Sequence, residues 1–115
     1  MPLELSMRIL VVDDFPAMRR LVRNALRDLG FTNVCEANNG EDALKTIDSE
    51  LIDLVISDWN MPVMSGLELL AWVRSREQFK DLPFIMLTAE SDKMNVVEAI
   101  KQRVERGDLK EPEKM

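Results

Sequence analysis

Arg8-Ile9-Leu10-Val11-Val12-Asp13-Asp14-Phe15-Pro16 decides the fold. The run from Arg8 to Val12 is short and rich in β-branched residues, which reads as a buried strand. Asp13 and Asp14 then offer an N-cap carboxylate, and Pro16 sits where a first helical turn tolerates it, so a helix is expected to follow directly. Met18, Leu21, Val22, Ala25, Leu26 and Leu29 recur at steps of three and four and give that helix one apolar face until Gly30 stops it. Arg19, Arg20, Arg23 and Arg27 fall mostly on the wet side; they read as solvated, with an acidic partner as the other use of a basic stripe.

The same alternation continues along the chain. Asn33-Val34-Cys35-Glu36-Ala37 is a weaker second strand, and Asn38-Asn39-Gly40 turns into a helix from Glu41 to Ser49 with Ala43, Leu44 and Ile47 inward. Leu54-Val55-Ile56 is a clear central strand that ends at Ser57-Asp58-Trp59-Asn60-Met61-Pro62. Ser65, with Glu68 three places on, makes a capping box for the next helix. Pro83 to Thr88 is the fourth strand, and Ser91 caps a further helix that carries Met94, Val97, Ile100 and Val104 to about Gly107. Strands of this kind, alternating with helices, imply an open α/β architecture: a parallel sheet covered on both faces, with right-handed crossovers.

With 115 residues, 46% hydrophobic and 31% charged, the chain is expected to form one compact domain. Cys35 has no second cysteine to bridge, which fits a reducing cytoplasm. No apolar run approaches the ~20 residues of a membrane helix, and Met1 to Ser6 lacks the pattern of a secretory signal, so neither membrane nor export is expected. The 21 acidic residues against 15 basic ones, a net charge of -6, argue against nucleic acid as a partner. The chain has 0 histidines, which removes the usual zinc and haem ligand sets and histidine-based acid/base catalysis. Carboxylate, hydroxyl and lysine chemistry remains.

In open parallel sheets functional groups gather at the carboxyl ends of the strands. Asp13 and Asp14 follow the first strand, Asp58 the third and Thr88 the fourth. Each alone has a plain structural reading: aspartate between strand and helix is a common cap, and threonine ends many strands. Together they converge on one end of one sheet. Carboxylates crowded there repel unless some take protons or a cation sits among them, and an all-oxygen set suits Mg²⁺. A carboxylate can also attack phosphorus to form an acyl phosphate. Asp58, alone after the central strand, is the expected nucleophile; Asp14 is the expected helix cap and direct metal ligand. Thr88 would donate its hydroxyl to a phosphoryl oxygen, helped by the main-chain N–H of Ala89.

These residues resemble the receiver domains of two-component response regulators, and among them the chemotaxis regulators of the CheY type. The likeness rests on Val11-Val12-Asp13-Asp14-Phe15 with Met18-Arg19-Arg20, on Ser57-Asp58-Trp59-Asn60-Met61-Pro62 with Gly66-Leu67-Glu68-Leu69-Leu70, and on Leu87-Thr88-Ala89-Glu90. It runs from about Met7 to Gln102. The resemblance implies a flavodoxin-like sheet of five strands in the order 2-1-3-4-5 and phosphoryl transfer from a CheA-like sensor kinase histidine to Asp58. It assigns Mg²⁺ to Asp14, Asp58 and the main-chain carbonyl of Asn60, with Asp13 acting largely through water. Thr88 becomes the hydroxyl that responds to the phosphoryl group, and Glu90 matches a position that modulates its lifetime. Acceptance and slow hydrolysis would be the chain's own catalysis, with no separate substrate.

The family continues with an apolar fifth strand, a Lys-Pro pair and a last helix. None of these is legible after Gln102, where eight of the thirteen residues from Arg103 to Met115 are charged. Lys110 lies about as far beyond Thr88 as the family lysine, but Gly107-Asp108-Leu109 is no buried strand. The expected division is therefore a receiver domain over 1–107, with fifth strand and last helix missing or altered, and a charged tail over 108–115. An uncovered fourth strand implies self-association through its edge or an exchanged helix. Binding to a flagellar motor switch protein is not carried over, because the family uses the altered region for it. The alternative function is a non-switching interaction module that dimerises or sequesters a kinase; an autonomous magnesium phosphatase ranks last, for want of a substrate pocket.

Overall fold

A computed structural model describes residues 5–87 of the chain. Within them, β1 (Ile9–Val12), α1 (Pro16–Asp28), β2 (Val34–Ala37), α2 (Gly40–Ser49), β3 (Leu54–Asp58), α3 (Gly66–Ser75), a 3-10 turn (Glu77–Phe79) and β4 (Phe84–Leu87) follow one another. The strands form a parallel sheet in the order β2-β1-β3-β4. The open α/β expectation is met, and the order agrees with 2-1-3-4 of the family's five. The helix expected after Ser91, the segment in which the family's fifth strand and last helix are expected to be missing or altered, and the charged tail lie outside the described residues.

Alternation along the strands divides the core between the two faces of the sheet. Ile9 and Val11 of β1, Leu54 and Ile56 of β3, and Ile85 and Leu87 of β4 pack with Val22, Ala25 and Leu26 of α1. Leu10, Val12, Val55, Phe84 and Met86 point the other way, onto Ala43 and Ile47 of α2 and Leu69 and Val73 of α3. Strands clothed on both sides need apolar residues at successive positions, which is why β1, β3 and β4 read as unbroken runs. Full burial of each such aliphatic side chain contributes roughly 1.5–3 kcal/mol.

The helix ends follow local chemistry. After α1, Gly30 adopts φ 102°, the Gly30 N–H donates to the Arg27 carbonyl and the Phe31 N–H to the Leu26 carbonyl. This paired closure needs a left-handed residue that glycine supplies without strain. Asn39 caps α2 by accepting from the Asp42 N–H, and Ser65 and Glu68 form the expected capping box on α3. The start of α1 corrects the sequence reading. Its N-cap is Phe15, no side chain caps it, and Pro16 opens the helix. Asp14 is therefore not the cap; Asp13 Oδ1 instead accepts from the Phe15 N–H at 3.0 Å, folding back across the entry turn. The 3-10 turn was not anticipated; Arg74 Nη1 fastens it by donating to the carbonyls of Phe79 and Leu82.

Candidate metal and phosphoacceptor site

Register brings the acidic residues together. Val12 of β1 lies opposite Ser57 of β3, so the residues that follow, Asp13 and Asp58, leave the sheet at the same level. The Asp13 N–H donates to the Ala37 carbonyl at 3.2 Å, extending the pairing with β2 by one residue beyond β1. Asp58 is itself the last residue of β3, opposite Leu87 of β4. One carboxylate oxygen from each of Asp13, Asp14 and Asp58 lies within 4.8 Å of the others. The sequence-predicted trio is thus assembled at the carboxyl end of the central strands.

Burial raises the cost of that crowding. Asp13 is 2% exposed and Asp58 8%. Asp14 is half-buried as a residue, yet its Oδ1 is fully enclosed and has no hydrogen-bond partner among the described residues. A buried acceptor left unpaired costs about 1–3 kcal/mol, more when charged, so this oxygen is fitted for a ligand that supplies positive charge. A hard divalent cation meets the requirement: the donors are all oxygen and carry compensating charge.

The loop after Asp58 is held close. The Trp59 N–H donates to the Leu87 carbonyl, and the Gly66 N–H donates to the Trp59 carbonyl at 2.8 Å, closing a turn over Trp59 to Ser65. Trp59 and Met61 pack against the core on the α3 side, as loop packing rather than a ligand box. Asn60 is exposed in this turn, two residues beyond Asp58. Ser57 Oγ donates to the Asp58 carbonyl at 2.9 Å. Thr88, Ala89, Glu90 and Lys110 lie outside the described residues.

An arrangement of charged residues missed in the sequence lies on the other side of Asp13. Arg19 Nη1 donates to the Asp13 main-chain carbonyl at 2.8 Å, while its Nε donates to Glu36 at 3.0 Å. Arg23 Nη1 holds the second oxygen of Glu36 at 2.6 Å. Partial burial alone would raise the Glu36 pKa, but the Arg23 and Arg19 guanidiniums outweigh it and hold the carboxyl below the usual glutamate range. Arg19 and Arg23, read as solvated, are therefore engaged across to β2, while Arg27 donates to Asn24 within α1 itself. The available signal was two arginines one turn apart on α1 and a lone glutamate within β2.

Residues 9–110 match the family model for the response regulator receiver domain. Among curated relatives, chemotaxis protein CheY of Pseudomonas aeruginosa is 50% identical over 93 residues, spanning 81% of this chain and 75% of the relative. Chemotaxis protein CheY-3 of Vibrio cholerae is 49% identical over 94 residues, 82% and 72% of the two chains. Among solved structures, response regulator protein TrrA from Thermotoga maritima, in complex with Mg²⁺ and BeF, superposes with a TM-score of 0.73 at 34% identity, covering 87% of this chain and 97% of that one. The chemotaxis response regulator CheY4 of Vibrio cholerae gives 0.67 at 35% identity, covering 83% and 79%. No helix among the described residues is long and apolar enough to cross a membrane.

Proposed function

The chain belongs to the response regulator receiver domain family, and from that premise we propose that it is a Mg²⁺-dependent phosphoacceptor of a two-component chemotaxis system. Asp58 receives the phosphoryl group from the histidine of a CheA-like sensor kinase in the cytoplasm. One observation carries the reading: three carboxylates meet within 4.8 Å at the carboxyl end of the sheet, and one buried oxygen among them, Asp14 Oδ1, has no partner among the described residues.

Asp58 is the nucleophile. A carboxylate oxygen attacks phosphorus, the new O–P bond forms as the P–N bond to the kinase imidazole breaks, and the departing nitrogen keeps the electron pair and takes a proton. Attack by water on the same phosphorus later returns the carboxylate and inorganic phosphate. Asp14, Asp58 and the Asn60 main-chain carbonyl would hold Mg²⁺ directly, and Asp13 largely through water. When bound, the cation offsets the charge of the incoming phosphoryl oxygens. Thr88 follows Leu87, the residue that pairs with Asp58, and would donate its hydroxyl to a phosphoryl oxygen. Self-association, through the β4 edge or an exchanged helix, remains part of the proposal, to be tested by concentration-dependent sedimentation.

The test is incubation with acetyl phosphate, with and without Mg²⁺, followed by intact mass. A single phosphoryl adduct that requires Mg²⁺ and is lost in Asp58→Asn supports the reading. Mg²⁺ binding without any adduct, from either acetyl phosphate or a phosphorylated kinase, would favour the non-switching interaction module.

A further inference from the structure

We infer that Arg19 is a positioning residue for the cation site, acting through the Asp13–Asp14 peptide, with Glu36 fixing the direction of its guanidinium. The inference rests on the proposed binding of Mg²⁺ by the acidic trio.

The main chain at Asp13 is gripped on both sides. Its N–H donates to the Ala37 carbonyl of β2, and its carbonyl accepts from Arg19 Nη1 of α1. That carbonyl belongs to the peptide linking Asp13 to Asp14, so its orientation sets where the Asp14 side chain leaves the backbone. Asp14 is the member of the trio that carries the enclosed, unpartnered Oδ1. No side chain among the described residues caps α1, and the bond from the Phe15 N–H to Asp13 Oδ1 does not itself place a restraint on the Asp13 carbonyl. Arg19 supplies one from the second turn of the helix.

Glu36 makes the restraint directional. A guanidinium is a planar fork, and Arg19 uses two of its edges at once: Nε on Glu36 and Nη1 on the Asp13 carbonyl. Its side chain is only 16% exposed. Lysine would place a single point charge there and could not hold both partners in a plane. Arg23 binds the other Glu36 oxygen and has a more exposed side chain; no hydrogen bond joins it to Asp13 among those described. Arg19 and Arg23 therefore share a charge and a partner but differ in their link to the site.

That difference permits a test by sign. If Arg19 acted only through its charge, removing it would strengthen cation binding, because a nearby guanidinium repels Mg²⁺. If it positions the peptide, removing it weakens binding, and outer-shell partners of metal ligands typically count for about 10–100-fold. Mg²⁺ affinity would be measured by titration calorimetry on the native chain and on Arg19→Ala, Arg19→Lys and Arg23→Ala, with urea midpoints recorded for each. The expected result is affinity about tenfold or more weaker in Arg19→Ala, only partial recovery in Arg19→Lys, and less than about a twofold change in Arg23→Ala. Equal or tighter binding in folded Arg19→Ala, or an equal loss in Arg23→Ala, overturns the inference. If Arg19→Ala does not fold, weakened affinity in folded Arg19→Lys supports the inference, and native affinity there overturns it. Failure of the native chain to bind Mg²⁺ would instead remove the functional reading beneath it.

Discussion

A Cβ placed on Gly66 would stand 2.2 Å from the main-chain oxygen of Asp58. The first residue of α3 thus presses against the backbone of the proposed phosphoacceptor, and only a residue without a side chain permits the approach. The Gly66 N–H donates to the Trp59 carbonyl across the same contact, so helix start and strand end form one rigid corner.

Gly66→Ala must push that corner open. Because the obstructing atom is backbone, the cost is expected at about 1–3 kcal/mol, in the range of overpacked sites. A urea midpoint shifted down by that amount, together with weaker Mg²⁺ binding from the displaced Asp58, is the expected outcome. A Gly66→Ala protein with native stability and affinity would show that the corner yields freely.

Val63 lies in the same loop at φ 71° and is 82% exposed. A β-branched residue is strained in the left-handed region, by roughly 1–2 kcal/mol, and its exposure leaves little packing to offset this. Asparagine tolerates that conformation. Val63→Asn should therefore raise stability by about 1 kcal/mol in urea unfolding, without weakening Mg²⁺ binding.

Asp14→Asn should stabilise the metal-free protein. Two charges within 4.8 Å of each other repel by at least roughly 3 kcal/mol at an effective dielectric of ~20, and solvent at the half-buried Asp14 reduces this. A gain of about 1 kcal/mol in EDTA is expected. The same change should suppress the stabilisation by Mg²⁺, which for the native protein reaches about 2.7 kcal/mol at a concentration 100 times Kd. Paired urea titrations in EDTA and Mg²⁺ read both effects, which have opposite signs.

Glu36 has a pKa held low in the folded state by Arg23 and Arg19, despite partial burial that acts the other way. The unfolded chain then binds the proton more readily. The contribution of Glu36 is present above the ordinary glutamate pKa of about 4.3 and is lost as pH falls through the lower folded value. Glu36→Gln should be less stable than native at pH 7, and the gap should close below about pH 4. High salt should narrow it at neutral pH, because these partners are partly exposed. A pH-independent gap would show that the loss is one of packing rather than charge.

What the sequence made legible follows from what each segment must bury. β1, β3 and β4 are enclosed on both faces, so Ile9–Val12, Leu54–Ile56 and Phe84–Leu87 read as apolar runs, and their alternation with helices led to the parallel sheet. The acidic trio was legible for the same reason: Asp13 and Asp14 are the first two residues after β1, and Asp58 closes β3. β2 read weakly because Glu36 interrupts it, and the purpose of that interruption lies 17 and 13 residues back, in Arg19 and Arg23. Such pairings depend on how α1 lies across the sheet, which local periodicity does not encode. The cap was misplaced because two adjacent aspartates before a proline are locally equivalent; the register of β1 with β2 and β3 directs Asp13 and Asp14 to the site instead.

The most direct measurement reduces the protein with borohydride after treatment with acetyl phosphate and Mg²⁺, then sequences its peptides by mass spectrometry. An acyl phosphate on aspartate is converted to homoserine by this treatment, so the account predicts homoserine at position 58 and at neither 13 nor 14. Conversion at another carboxylate, or none at all in protein that binds Mg²⁺, would contradict it.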